Sequence, residues 1–327
     1  MTEKTISQAI SAYLDSVALA RSKNTARTYK NALQVFKRVL DERWFDPESM
    51  EIEKLSEDAI TWLAEFLKVF SAPTERLYLT AVSGFYEYVA AERLAEINLP
   101  RLKLLIRQRA RRPGIRLPQF PAEDIEKVIE LVNPFIEHTF ENYNIRLRAL
   151  RDRAFLLTLA DTGLRVHEAC GLRRGDIDWN EGRAVIVGKG DKQAVVRFSS
   201  RCLDSLRDYL AARSKLDGKS GRPLTSLPLF ARHDKGAGNK IKPISTATGR
   251  NIVAERVRQA LGDEAVGSIT PHSFRHYFVT TILRASGNLK LAQELARHSN
   301  IQVTQRYAHL SDDELDKGYY DIFENNT

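Results

Sequence analysis

Hydrophobic positions in the first hundred residues recur at helical spacing. Tyr29, Leu33, Phe36 and Leu40 fall at i, i+4, i+7 and i+11, one stripe of a 3.6-residue period. Ile60, Leu63, Phe66 and Leu67 form a second stripe, and Leu79, Val82, Tyr86 and Val89 a third. Ser22 and Asn24, just ahead of the first stripe, are residue types that cap the orphan amides of a helix start. With the opening segment from Ile6 to Leu19, the pattern predicts about four short helices in a small bundle.

The period changes further on. Between Asp176 and Ser200, Ala184-Val185-Ile186-Val187 and Ala194-Val195-Val196 flank the turn Gly188-Lys189-Gly190-Asp191-Lys192. Two β-prone runs around a Gly-rich turn predict a hairpin. Ser214 to Thr248 reads as loop with short strands near Leu229 and Ile241, and the rest of 118–327 as helix. No internal repeat is visible. The fold expected is mainly α with a small antiparallel sheet.

One stretch breaks the ordinary mixture of charges. Arg101, Lys103, Arg107, Arg109, Arg111, Arg112 and Arg116 fall together with no acidic residue among them, and Pro113-Gly114, Pro118 and Pro121 end any helix there. Such a run is either a solvated face or a basic linker lying along a phosphate backbone. The whole chain of 327 residues carries 50 Lys and Arg against 42 Asp and Glu, a net +8, which favours a polyanionic partner. At 43% hydrophobic and 28% charged it has an ordinary globular balance. It has no apolar run of transmembrane length and no basic-then-apolar leader. Cys170 and Cys202 are too few for a disulfide framework or zinc cluster, so a cytoplasmic protein without metal or cofactor is expected.

Several common chemistries lose support. Gly218-Lys219-Ser220 lacks the upstream glycine of a phosphate-binding loop, where Arg213 stands. His272 and His276 have zinc-protease spacing, but Ser273 occupies the place of the required Glu. Four short segments remain: Thr162-Gly163-Leu164-Arg165-Val166-His167-Glu168; the turn bearing Lys189; His272-Ser273-Phe274-Arg275; and Arg297-His298 followed, nine positions after the histidine, by Tyr307.

In these segments the chain resembles the tyrosine recombinase (phage integrase) family, of the simple two-domain Xer-like type. The family pattern is an Arg in T-G-L-R-x-x-E, a Lys in a β-turn, H-x-x-R, a His or Trp, and a nearby Tyr. Arg165 with Glu168, Lys189, His272 with Arg275, His298 and Tyr307 match it in order, and Asp176 fits an acidic position after the first Arg. Asn24-Thr25 and Tyr29 resemble the start of the family's DNA-clamping domain. The resemblance implies a helical, SAM-like core-binding domain over 1–107, a basic linker over 108–118, and an α+β catalytic domain with its tail over 119–327. It implies double-stranded DNA with paired inverted-repeat sites as partner and a homo-tetramer on DNA. Arg27, Lys103, Arg107, Arg109, Arg111 and Arg112 are the expected DNA contacts.

The chemistry is intelligible from the residue types. A tyrosine that cuts a phosphodiester stores the bond as a phosphotyrosine, so resealing needs no ATP. The guanidinium forks of Arg165 and Arg275 suit the non-bridging oxygens, where negative charge gathers in the transition state. Lys189 is the candidate acid for the leaving 5′ oxygen, with Lys192 a rival. His272 is the candidate acceptor of the tyrosine proton, His298 a hydrogen-bond donor to the phosphate or a positioner of Tyr307, and Glu168 an orienting group. Taken singly, each has an ordinary structural role, Arg165 pairing with Glu168 for example. The ordered set raises them together.

Arg297 departs from the family, which usually has Gly before this histidine, so an altered backbone or an extra phosphate contact is expected there. The tail from Ser311 carries six acids around Tyr319, Tyr320, Ile322 and Phe323 and is expected to dock on a neighbouring subunit, the alternative being packing on its own domain or a frayed terminus. Tyr319 and Tyr320 are alternative nucleophiles. The chain begins almost at its first helix, so an extra arm-binding domain is not expected. A type IB topoisomerase and a catalytically inactive DNA-binding protein are the competing readings.

Overall fold

The computed structural model describes residues 4–111, 122–187, 193–234, 236–238, 240–298 and 300–305. Its contacts divide the chain into two units, Met1–Arg116 and Leu117–Thr327.

The first unit is a helical bundle: α1 (Ile6–Ala20), α2 (Lys23–Asp41), α3 (Ala59–Phe66), α4 (Ala72–Ala91) and α5 (Leu99–Arg109). The stripes read from the sequence face its core. Leu33, Phe36, Leu40, Leu63, Leu67, Val82, Tyr86 and Val89 are fully buried, while Tyr29 and Phe66 lie half-buried at its margin. Helix starts are chemically marked. Thr5 and Gln8 form a reciprocal capping box on α1, and the Ser22 and Ser71 hydroxyls accept from the amides of Thr25 and Thr74. Asn24, the other candidate cap, lies inside α2. A fifth helix forms where the basic run begins. Asn98 caps it, Pro100 sits in its first turn, and Leu102 anchors it in the core.

The second unit contains α6 (Ala122–Val132), α7 (Tyr143–Thr162), α8 (Val166–Gly171), a three-stranded sheet, and then α9 (Ser200–Gly218), α10 (Thr246–Leu261), α11 (Pro271–Ser286), α12 (Leu289–Ala296) and α13 (Ile301–Gln305). Helix α7 is central, packing against α9, α11 and α6, and its apolar residues Leu147, Leu150, Phe155, Leu156, Leu157 and Leu159 point all round. From Ala149 onward the helix is enclosed on nearly all sides, and such a segment shows no apolar stripe.

The sheet runs β1 (Ile177–Asp178), β2 (Arg183–Val187), β3 (Gln193–Arg197), antiparallel throughout, with Ala184 opposite Val196 and Val187 opposite Gln193. Ala184 and Ile186 face the core while Arg183, Val185 and Val187 face out, the period-2 alternation of a sheet covered on one side. The strands expected near Leu229 and Ile241 reduce to single bridges, Arg173 with Pro228 and Ala231 with Pro243. The prolines there cannot donate to a continuing ladder. Among the described residues, no helix is long and apolar enough to cross a membrane.

Candidate active site

Helix α7 ends at Gly163, whose φ of 58° is left-handed. A Cβ at this position would lie 2.4 Å from Cδ1 of Phe278 on α11, so both the turn and the close approach of that helix require glycine. Two residues on, Arg165 caps α8. Its amide donates to Glu168 Oε2 at 2.8 Å, and its Nη1 to Glu168 Oε1 at 3.0 Å. The Arg165 side chain is 45% exposed and that of Glu168 4%. One carboxylate thus caps the helix start and holds the arginine from behind. Burial pushes the Glu168 carboxyl up, but the Arg165 amide and the Arg297 and Arg165 charges outweigh it and hold the group below the usual carboxylate range.

Helix α11 opens on Pro271, whose fixed φ suits a first turn, and the Thr270 amide donates to the Ser273 hydroxyl across the start. One turn in, Arg275 is buried, 3% exposed. Its Nη1 donates to the Gly163 carbonyl at 2.5 Å and its Nη2 to the Ala296 carbonyl, tying the end of α7 to the end of α12. His272 lies exposed at the head of α11. Its ring meets that of His276 edge-on, with centroids 4.3 Å apart. Partial burial and the charges of Arg275 and Arg165 lower the His272 pKa. His276 is pushed down to about 4 by burial, His272 and Arg275.

The fourth segment follows α12. The His298 amide donates to the Gln293 carbonyl at 3.0 Å, and its Nδ1 lies 2.9 Å from the buried Thr304 hydroxyl on α13. Burial, then Arg275 and Arg165, push His298 down to about 4. The histidines of the cluster are therefore uncharged near neutrality, and its positive charge resides on arginine.

Arg297 is the third of these arginines. It takes the left-handed conformation at φ 57°, where a side chain costs about 1 kcal/mol relative to glycine. Its Nη2 donates to Glu168 Oε2 at 3.2 Å and makes a longer contact, 3.4 Å, with the Gly163 carbonyl. The altered backbone expected from this residue is absent: Arg297 occupies a glycine-type conformation and directs its side chain inward.

The structure thus brings together Arg165, Glu168, His272, Arg275 and His298. It adds His276, Thr304 and the Gly163 carbonyl, which sequence reasoning did not place in the cluster, and it turns Arg297 to Glu168. The i+4 spacing of His276 from His272 was the available signal; Thr304 carried none. Asp176 lies apart from this group, its exposed carboxylate accepting from the Arg173 amide in the turn before β1. Lys189, its rival Lys192, Tyr307, Tyr319, Tyr320, Arg112 and the acidic tail lie outside the described residues.

On the first unit, Arg27 is exposed on α2, and Arg107 and Arg109 are exposed on α5. Lys103 lies 3.5 Å from Glu87, and Arg111 pairs with the buried Glu75, which also takes Lys68 at 2.7 Å. Lys103, Arg107 and Arg111 line one wall of a groove of about 800 Å³, with Arg21, Arg76 and Tyr13 on its other sides.

A helical bundle followed by a helical unit with a three-stranded sheet and an arginine–histidine cluster defines a recognisable class. The sequence profile of the Phage integrase family matches residues 130–314, and the chain belongs to that family. It is 30% identical over 269 residues to the tyrosine recombinase XerC of Bacillus subtilis, covering 82% of this chain and 80% of that protein. It is 29% identical over 307 residues to XerC of Thermodesulfovibrio yellowstonii, covering 92% and 91%. XerD of Pseudomonas aeruginosa is 28% identical over 317 residues, covering 92% of each. Two solved structures share the fold. XerH site-specific recombinase bound to difH substrate in a pre-cleavage complex gives a TM-score of 0.66 at 19% identity, covering 97% of this chain and 84% of that one. A lambda integrase dimer bound to a COC′ core site gives 0.63 at 17% identity, covering 94% and 96%. Within the family the chain is a Xer-like tyrosine recombinase, a DNA strand-transfer enzyme.

Proposed function

We propose that this site-specific recombinase binds double-stranded DNA at paired inverted repeats in the cytoplasm and cuts each strand through Tyr307. The tyrosine oxygen attacks the phosphorus, the bond to the 5′ oxygen breaks, and a 3′-phosphotyrosyl bond forms. Arg165 and Arg275 bind the non-bridging oxygens, and His298 adds a hydrogen bond to them. His272, uncharged near neutrality, takes the tyrosine proton, and Lys189 protonates the departing 5′ oxygen. A 5′ hydroxyl of the partner duplex then attacks the phosphotyrosine. Two such rounds, carried by four protomers, pass through a Holliday junction, with the acidic tail of each protomer docking on its neighbour. The reaction uses neither ATP nor metal.

One observation carries the reading: Arg275 donates to the Gly163 carbonyl, two residues before Arg165, and to the Ala296 carbonyl, two residues before His298, so three separate segments meet at one arginine. The DNA in the XerH and lambda integrase complexes supports the choice of substrate.

The test is to incubate the protein with fragmented genomic DNA in EDTA, denature with SDS, and sequence the DNA that stays attached, with Tyr307→Phe alongside. Attachment lost in the variant, with reads concentrated on one repeat-flanked site, is the expected result. Attachment scattered over all sequences would instead indicate a topoisomerase. Equal attachment in both proteins would move the nucleophile to Tyr319 or Tyr320.

A further inference from the structure

Glu168 is buried, with 4% of its side chain exposed, and its two oxygens are divided between two arginines. Oε1 takes Arg165 Nη1, while Oε2 takes the Arg165 amide and Arg297 Nη2. Arg165, 45% exposed, is the one able to swing outward. If it turns its guanidinium to a phosphate, it leaves a buried carboxylate behind, and an unpaired buried charge is strongly unfavourable.

Arg297 is placed to meet that need. Its side chain is 11% exposed, and Nη2 is its hydrogen-bonding corner, since Nε and Nη1 are buried with no partner among the described residues. A guanidinium using so little of its donor capacity is held in place by charge more than by hydrogen bonds. The family usually has glycine here. A glycine would leave Glu168 to cancel one of the two phosphate-binding arginines.

We infer that Arg297 is a positioning residue for strand cleavage: it holds the charge of Glu168 so that Arg165 can be handed from that carboxylate to the scissile phosphate. This rests on the proposed role of Arg165 in binding that phosphate.

The test is single-turnover formation of the Tyr307 adduct on a duplex carrying the site recovered by SDS trapping, with DNA affinity and melting temperature measured in parallel. Arg297→Gly suits the left-handed backbone, and Arg297→Gln keeps a donor for Glu168 without the charge. Each should slow adduct formation on the order of 10- to 100-fold, because Arg165 is no longer released to its place. DNA affinity should hold within about threefold, since the Arg297 side chain is only 11% exposed. Adding Glu168→Gln to either variant should restore the rate about tenfold, because a neutral amide needs no cation. A purely structural loss would not be repaired by that second change.

Wild-type adduct formation with an undiminished Arg297→Gln rate overturns the inference alone, as does failure of Glu168→Gln to restore any rate. A wild-type chain that forms no Tyr307-dependent adduct overturns the proposed function, and the inference falls with it.

Discussion

Gly163 is the residue on which the cluster's geometry turns, and Gly163→Ala tests that directly. The backbone there is left-handed at φ 58°, which costs alanine about 1 kcal/mol. The added Cβ would stand 2.4 Å from Phe278 Cδ1, 2.9 Å from Cγ and 3.0 Å from Cε1, so the ring must move. Phe278 packs against the buried Val279, Ala292 and Ala296 between α11 and α12, and overpacking such a site costs about 1–3 kcal/mol. Together these predict a loss of about 2–4 kcal/mol, or roughly 5–15 °C in melting temperature for a unit of this size. The same carbonyl accepts from Arg275 and Arg297, so the rate of adduct formation should fall further than the lost stability explains. Melting curves of the wild type, Gly163→Ala, Phe278→Ala and the double variant separate the two costs. The clash should appear as a coupling of about 1–3 kcal/mol between the sites, while the backbone cost persists in the double variant. A melting temperature within about 2 °C of wild type, or strictly additive losses, would refute the close-packing argument.

Other expectations follow from the same geometry. Arg111→Ala should cost about 1–3 kcal/mol, because Arg111 partners the buried Glu75, whereas exposed Arg107→Ala should leave melting unchanged and lower the salt slope of DNA binding by about 1; a salt titration with parallel melts distinguishes them. Arg165→Lys should cut adduct formation on the order of 100-fold, since an ammonium cannot make the bidentate contact, while changing stability by no more than about 1 kcal/mol, because lysine keeps a cation beside the buried Glu168 and Arg297 still pairs with it. His276 and His298, each pushed down to about 4, and His233, pushed down to about 3 by burial and nearby arginines, stay neutral in the fold down to pH values where they are charged when unfolded. Below the unfolded value of about 6.5 the unfolded chain binds more protons, so this stability is complete above that pH and declines as pH falls toward 4. Denaturation midpoints should therefore be lower at about pH 5 than at about pH 7.5, and equal midpoints would contradict the assigned histidine environments.

Local periodicity determined much of the first unit and the hairpin. The stripes through Leu33, Leu63 and Val82 face the core because a helix packed on one side must write that side at 3.6-residue spacing. Ala184 and Ile186 turn inward for the corresponding period of 2. The cluster of Arg165, Glu168, His272, Arg275 and His298 was also legible, because these residues match the family's motifs in order. Helix α7 wrote no stripe because, from Ala149 onward, it is enclosed on nearly every side. The basic run was legible as charge but not as free charge. Arg101 is taken up by Glu57 and Asp58, Lys103 is neighboured by Glu87, and Arg111 is taken up by Glu75, all acids remote from the run in sequence. Arg297 shows the same limit at the site. The sequence marked it as a substitution for glycine, but only the fold decides that it turns inward to Glu168, 129 residues away, because Coulomb partners are chosen by distance in space.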